Sequence, residues 1–166
     1  MPDDLVRSHD LVRSGDLDVA PATPDDREWA ARLMASCDPW KKLGRTIDHC
    51  RERCSDPVFL VLVARHGGER CAFAVLNPRG VAGSPYLASI AVEEAWRSRG
   101  VGAALLEACE RHFASSSRHF FLCVSSFNTR ARAFYERQGY RQVGEFADYV
   151  IEGASEILMY RRLERT

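Results

Sequence analysis

The chain lacks a long apolar run. Its longest uninterrupted one covers positions 58–64, seven residues, where a helix crossing a bilayer needs about twenty. It also lacks an excess of either charge, with 23 Lys and Arg against 23 Asp and Glu. That balance argues against the broad basic surface on which nucleic-acid binding depends, and leaves open a local basic pocket for a phosphorylated ligand. Six cysteines occur without a single CxxC pair. Cys50 and Cys54 stand four apart on an expected helix, with no histidine following at zinc-site spacing, so reduced structural thiols are expected and no metal. Positions 1–11 carry acids and no apolar core, which argues against a signal peptide. These absences lead to the expectation of a cytoplasmic protein with neither a membrane nor a nucleic-acid partner.

The 166 residues, 46% hydrophobic and 28% charged, have the balance of one globular domain large enough to bury a core. The first residues hold a short repeat, Leu-Val-Arg-Ser at 5–8 and again at 11–14. A period of six repeated twice is too short for a solenoid, so 1–16 is read as a flexible leader and 17–166 as the single domain. Within that domain 17–22 reads as a first strand. Thr23, Pro24, Asp25 and Asp26 then open a helix, with Thr as cap, Pro in the first turn and acids facing the positive end of the dipole. A second helix is expected over 46–54. Strands follow over 58–65 and 71–76, joined as a hairpin through His66, Gly67, Gly68 and Glu69. Positions 77–85 read as a loop and 86–92 as another strand. The spacing of Val101, Leu105, Cys109 and Phe113 predicts a helix over 100–115. A strand over 120–124, a helix over 129–138 ended by Gly139, and strands over 140–146 and 156–163 complete the chain. The expected fold is a mixed α/β domain on one central sheet.

The most informative segment is Arg97-Ser98-Arg99-Gly100-Val101-Gly102-Ala103-Ala104, where a strand gives way to a helix. Glycines at such a turn let main-chain N–H groups converge on an anion, and the helix N-terminus adds unsatisfied donors and a positive dipole. The arrangement suits a pyrophosphate. A dinucleotide fold would need a third small residue and an acid about twenty positions on; here Leu105 follows the alanines, and Phe120, Phe121 and Leu122 stand where the acid would be. A phosphate loop of the GxxxxGK[ST] type is absent from the sequence.

What remains is R-x-x-G-x-G-A, followed after an expected helix and strand by Asn128-Thr-Arg-Ala131-Arg-Ala-Phe134-Tyr135-Glu-Arg-Gln-Gly139-Tyr140. Together, in this order, these segments resemble the pyrophosphate-binding signature and the N-x-x-A-x-x-[LF]-Y-E-x-x-G-[FY] run of the GNAT superfamily of acyl-CoA-dependent N-acetyltransferases. The resemblance covers 17–163. It implies a mostly antiparallel central sheet flanked by helices, with splayed strands holding acetyl-CoA. On that resemblance Arg97, Ser98, Arg99, Gly100, Val101, Gly102, Ala103 and Ala104 hold the pyrophosphate, chiefly through main-chain N–H groups. The backbone of Ile90, Ala91 and Val92 lies along the pantetheine arm, and an N–H near Val92 faces the thioester carbonyl as an oxyanion donor. Asn128, Ala131, Phe134 and Tyr135 close the cofactor site from the other side, Asn128 equally fitting a helix cap.

Catalysis by direct attack of the amine, through a tetrahedral intermediate, calls for an acid to meet the leaving thiolate and a base for the ammonium. Tyr135 is the expected acid and Tyr86, on the fourth strand, the candidate base. Asp38 and Trp40, between the first two helices, are candidates for binding the acceptor, as are Asp148 and Tyr149 between the last two strands. The acceptor implied is a primary amine of a small molecule or peptide. Transfer of a longer acyl chain, and a catalytically silent CoA-binding regulatory module, stand as the alternatives. Family habit also implies a homodimer through the final strands.

Overall fold

The computed structural model describes residues 12–164. Strand β1 (Asp18–Pro21) leads into helices α1 (Pro24–Ser36) and α2 (Ile47–Ser55). Strands β2 (Leu60–His66), β3 (Glu69–Val81) and β4 (Ser84–Val92) follow as a meander. Then come α3 (Val101–Phe113), β5 (His119–Ser125), α4 (Thr129–Arg137), β6 (Arg141–Phe146) and β7 (Glu156–Arg162). Among the described residues the seven strands form one sheet in the order β1-β2-β3-β4-β5-β7-β6, and its only parallel neighbours are β4 and β5. The fold is thus the mixed α/β arrangement expected, with a mostly antiparallel sheet between helices.

Alternation along the central strands decides which helix covers which face. Val61, Val63, Phe73 and Val75 point to one side and pack under α1 and α2, against Ala30, Ala31, Met34, Cys50 and Cys54. Leu62, Ala64, Ala72, Ala74 and Leu76 point to the other side and join Val101, Leu105, Leu106, Cys109 and Phe113 of α3. Residues of β2 and β3 are therefore apolar on both faces, as strands buried in the middle of a sheet must be. The second face also carries Glu110 of α3, which accepts from the Tyr140 hydroxyl at 2.7 Å and pairs with Arg161 at 3.0 Å. This network ties α3 to β7.

One expectation is corrected. Positions 77–85 are no loop: β3 runs on to Val81 and turns at Ala82 and Gly83 into β4. The register breaks between Asn77 and Val81, so Pro78, which has no N–H to give a ladder, is tolerated there. Gly80 is required at that break, since a Cβ there would lie 2.5 Å from the Cβ of Tyr86.

Of the leader expected over 1–16, positions 1–11, with the first copy of the repeat, lie outside the described residues. The remainder lies against α3: the Val12 N–H donates to the Arg99 carbonyl at 2.8 Å, and Arg111 donates to the Ser14 hydroxyl at 2.7 Å. All six cysteines are free thiols. Among the described residues no helix is long and apolar enough to cross a membrane.

Candidate active site

The site begins as a defect in the sheet. Tyr86 pairs with Phe121 and Leu87 with Leu122, and there the ladder between β4 and β5 stops. On its other side β4 stays paired with β3 as far as Val92, after a register shift that leaves Ala88 as an extra, bulged residue. β5 meanwhile stays paired with β7 as far as Ser125. The two strands diverge, and backbone polar groups of 88–92 face the gap without a strand partner. A cleft of about 1000 Å³ opens between them. It brings together Ile90, Ala91, Val92, Arg97, Ser98, Gly100, Val101, Gly102, Ala103, Asn128, Ala131, Phe134 and Tyr135, with Tyr86, Asp38 and Trp40. Segments far apart in sequence meet here.

The mouth of α3 differs from the other helix starts. Thr23, Thr46 and Asn128 each cap their helix with a side-chain oxygen. Gly100, at the same position of α3, has no side chain and takes the left-handed φ of 82°. The first intrahelical bond runs from the Ala104 N–H to the Gly100 carbonyl at 3.0 Å. That leaves the N–H groups of Val101, Gly102 and Ala103 without intrahelical partners, at the positive end of the dipole. Ser98 is also left-handed, with φ of 60°, and such turns gather successive N–H groups into an anion-binding hollow. The residues present therefore fit a pyrophosphate, and the open edge of β4 fits an extended amide-bearing arm.

The arginines and alanines of the loop divide. Arg97 lines the cleft, its Nε donating to the Val92 carbonyl at 3.1 Å. Arg99 turns away to lie 4.7 Å over the Trp96 ring and is not among the lining residues. Ala103 faces the cleft, whereas Ala104 is buried in the core under the helix.

From the opposite wall, α4 presents Asn128, Ala131, Phe134 and Tyr135. The Asn128 Oδ1 accepts from the Ala131 N–H at 3.2 Å, so it caps α4 while also lining the cleft. Phe134 approaches α3 so closely that a Cβ on Gly102 would lie 3.8 Å from its Cζ. Tyr135 is buried, its ring packed edge-on against Phe134 and Tyr140 at 5.2 and 5.9 Å. Burial, then the nearby Cys109, pushes its phenol well above the usual tyrosine range, so it keeps its proton at neutral pH.

At the acceptor end, Trp40 is half-buried against Met34 and its neighbours and reaches the cleft. Asp38 is exposed at the rim, and its Oδ1 accepts from the Lys42 N–H at 3.2 Å. Tyr86 lies deeper; burial first, then Cys123 and Glu156, raises its phenol far above the ordinary value. That shift favours its neutral form. Asp148 and Tyr149 are exposed and stand apart from the cleft. Sequence reasoning missed Glu156, Ser125 and Cys123, which line it. The one local signal was a carboxylate at the head of an otherwise apolar strand, Glu156-Ile-Leu-Met.

The acetyltransferase (GNAT) family profile matches residues 26–140, and the chain belongs to that family. An uncharacterised N-acetyltransferase of Methanocaldococcus jannaschii is 33% identical over 82 residues, 48% of this chain and 53% of that protein. The match thus spans about half the length of that curated relative. Among solved structures, a Desulfovibrio desulfuricans protein assigned to the GNAT family superposes with a TM-score of 0.75 at 19% identity, covering 89% of this chain and 99% of that one. The ribosomal-protein-S18-alanine N-acetyltransferase of Escherichia coli gives 0.71 at 20% identity, covering 90% and 96%. An aminoglycoside 6'-N-acetyltransferase solved with coenzyme A gives 0.70 at 17% identity, covering 90% and 98%. At these identities the structures speak for the fold.

Proposed function

We propose that the protein transfers an acetyl group from acetyl-CoA to a primary amine of a small molecule or peptide. The observation that carries this reading is the uncapped start of α3 standing at the open edge of β4. The N–H groups of Val101, Gly102 and Ala103, with Arg97 beside them, hold the pyrophosphate. Backbone groups of Ile90, Ala91 and Val92 hold the pantetheine arm, with Asn128 opposite. Acetyl-CoA supplies an activated thioester carbonyl within reach of the acceptor. Half-buried Trp40, Ile90 and Phe134 give the cleft apolar walls near that point.

Tyr135 serves as the acid. Its hydroxyl stays protonated because burial disfavours the phenolate, so it is a standing donor for the sulfur that departs. Tyr135→Phe is expected to keep acetyl-CoA affinity and to lower kcat about tenfold or more. Unchanged turnover would remove Tyr135 from the chemistry. Tyr86 lines the acceptor end of the same cleft.

The test of the proposal is calorimetric titration of the full chain with acetyl-CoA and with free CoA. Micromolar binding of acetyl-CoA, followed by amine-dependent release of free thiol, is the expected result. Absence of acetyl-CoA binding would overturn the reading, and binding without turnover on any amine would favour the silent regulatory module.

A further inference from the structure

Glu156 stands out among the acids that reach the cleft. Glu93 already accepts from the Trp29 indole N–H at 3.0 Å, and Asp38 from the Lys42 N–H. Glu94 is exposed at the rim. Glu156 is the first residue of β7 and the register partner of Ser125 on β5, so both side chains share one face of the sheet. The Ser125 hydroxyl, on a residue 4% exposed, donates to the Glu156 Oε1 at 2.6 Å. The chain just before it is clamped as well: the Ser126 N–H donates to the Ser155 carbonyl at 2.8 Å, and the Ser155 N–H to the Ser126 Oγ at 3.0 Å. Among the described residues no lysine or arginine pairs with Glu156, and its second oxygen has no hydrogen bond.

We infer that Glu156 is the anchor for the acceptor, which docks as a cationic primary alkylammonium on this carboxylate at the splayed end of β5 and β7. The inference rests on the acetyl-transfer reading. A carboxylate held rigidly, half desolvated and without a cation of its own, is complementary to a compact ammonium that donates three hydrogen bonds. Its neighbours on the adjoining strands are uncharged. Tyr86 comes from β4 and Cys123 from β5, and the carboxylate's field adds to burial in keeping both of them protonated. Phe146 of β6, its other register neighbour, carries no charge. Arg53 of α2 lies close enough to act weakly on Tyr86, and Asp38 and Lys41 line the same cleft from the segment after α1. The part of Glu156 in this reading is to select and orient the cation.

The probe is n-butylammonium chloride, titrated into isotope-labelled protein with and without saturating CoA and followed by amide NMR shifts. Sodium chloride and n-butanol serve as controls for ionic strength and for the alkyl chain. Shifts are expected to gather at Ser125, Ser126, Ser155 and Glu156 with the ammonium alone. In Glu156→Gln the midpoint should rise at least tenfold, in Glu156→Asp less, with acetyl-CoA affinity unchanged in both. Equal titration of the Gln variant, shifts gathered elsewhere, or no shifts in the wild-type protein would overturn the inference. The arm without CoA separates the two readings: ammonium binding at Glu156 in a protein that fails to bind acetyl-CoA would sink acetyl transfer and leave the anchor standing.

Discussion

Gly102→Glu is expected to weaken acetyl-CoA binding about 100-fold or more, roughly 3 kcal/mol, while leaving the fold intact. The position is the second residue of α3, where the N–H has no intrahelical partner and the chain opens on the cleft. A carboxylate there would stand within a few ångströms of the place proposed for the pyrophosphate. Two like charges at about 4 Å repel by about 4 kcal/mol at the effective dielectric of a protein surface, enough for the loss expected. The side chain would also reach the free donors of Val101 and Ala103 and occupy them. Folding is spared because a Cβ at 102 would meet Val92 Cγ2 at 3.6 Å and Phe134 Cζ at 3.8 Å, ordinary contact distances. Gly102→Ala is therefore the matched control and should bind within a few-fold of the wild-type protein. Calorimetry on the three proteins, with circular dichroism for folding, decides it. If the Glu variant bound as well as the Ala variant, the pyrophosphate would have to lie elsewhere.

The contrast between Gly100 and its neighbours shows what a sequence can say about such a site. Glycines at a strand-to-helix turn that leaves main-chain donors free were visible in the chain, whereas the left-handed turn at Gly100 and its lack of a side-chain cap came from the structure. Which arginine would face the ligand was not visible. Arg97 and Arg99 are two apart, and the stacking of Arg99 on Trp96, with its carbonyl tied to Val12, depends on elements that meet only in the folded chain. The same limit hid Glu156. Its position at the cleft follows from pairing with Ser125, 31 residues away, and from the break in the β4–β5 ladder, a feature without local pattern.

Element types were legible because periodicity is a local signal, and the order of strands and helices came out as expected. The miss at 77–85 has a local cause. Asn77-Pro78-Arg79-Gly80 has the composition of a turn, yet the register break takes up Pro78, and Gly80 lies against Tyr86 so closely that no side chain fits. Tertiary pairing extended a strand that propensity would have ended.

Asp26→Ala is expected to lower folding stability by about 3–5 kcal/mol, the cost of removing one partner from a buried ion pair. The sequence placed Asp26 in the first turn of α1 as an acid facing the dipole. It does cap there, its Oδ2 accepting from the Thr23 N–H at 3.0 Å. Its Oδ1 does more, accepting from Arg65 at 2.6 Å and Arg70 at 2.7 Å, 39 and 44 residues along the chain. The carboxylate is fully buried, while the two arginine side chains are 23% and 35% exposed. One group thus fastens the start of α1 to the β2–β3 hairpin beneath the helix. Burial by itself would raise its pKa, but Arg65, the Thr23 hydrogen bonds and Arg70 together outweigh that and hold it well below the usual carboxylate range. With the folded value depressed, the stability this charge contributes is complete above the unfolded value of about 3.9 and is lost as pH falls through the folded one. Urea unfolding of the wild-type protein should therefore show stability falling steeply below about pH 4. Asp26→Asn, which keeps the shape and an acceptor oxygen, should show a flatter fall over the same interval. Parallel profiles for the two proteins would mean that the acid sensitivity resides in other carboxylates, and a loss near 1 kcal/mol in Asp26→Ala would reduce Asp26 to the helix cap alone.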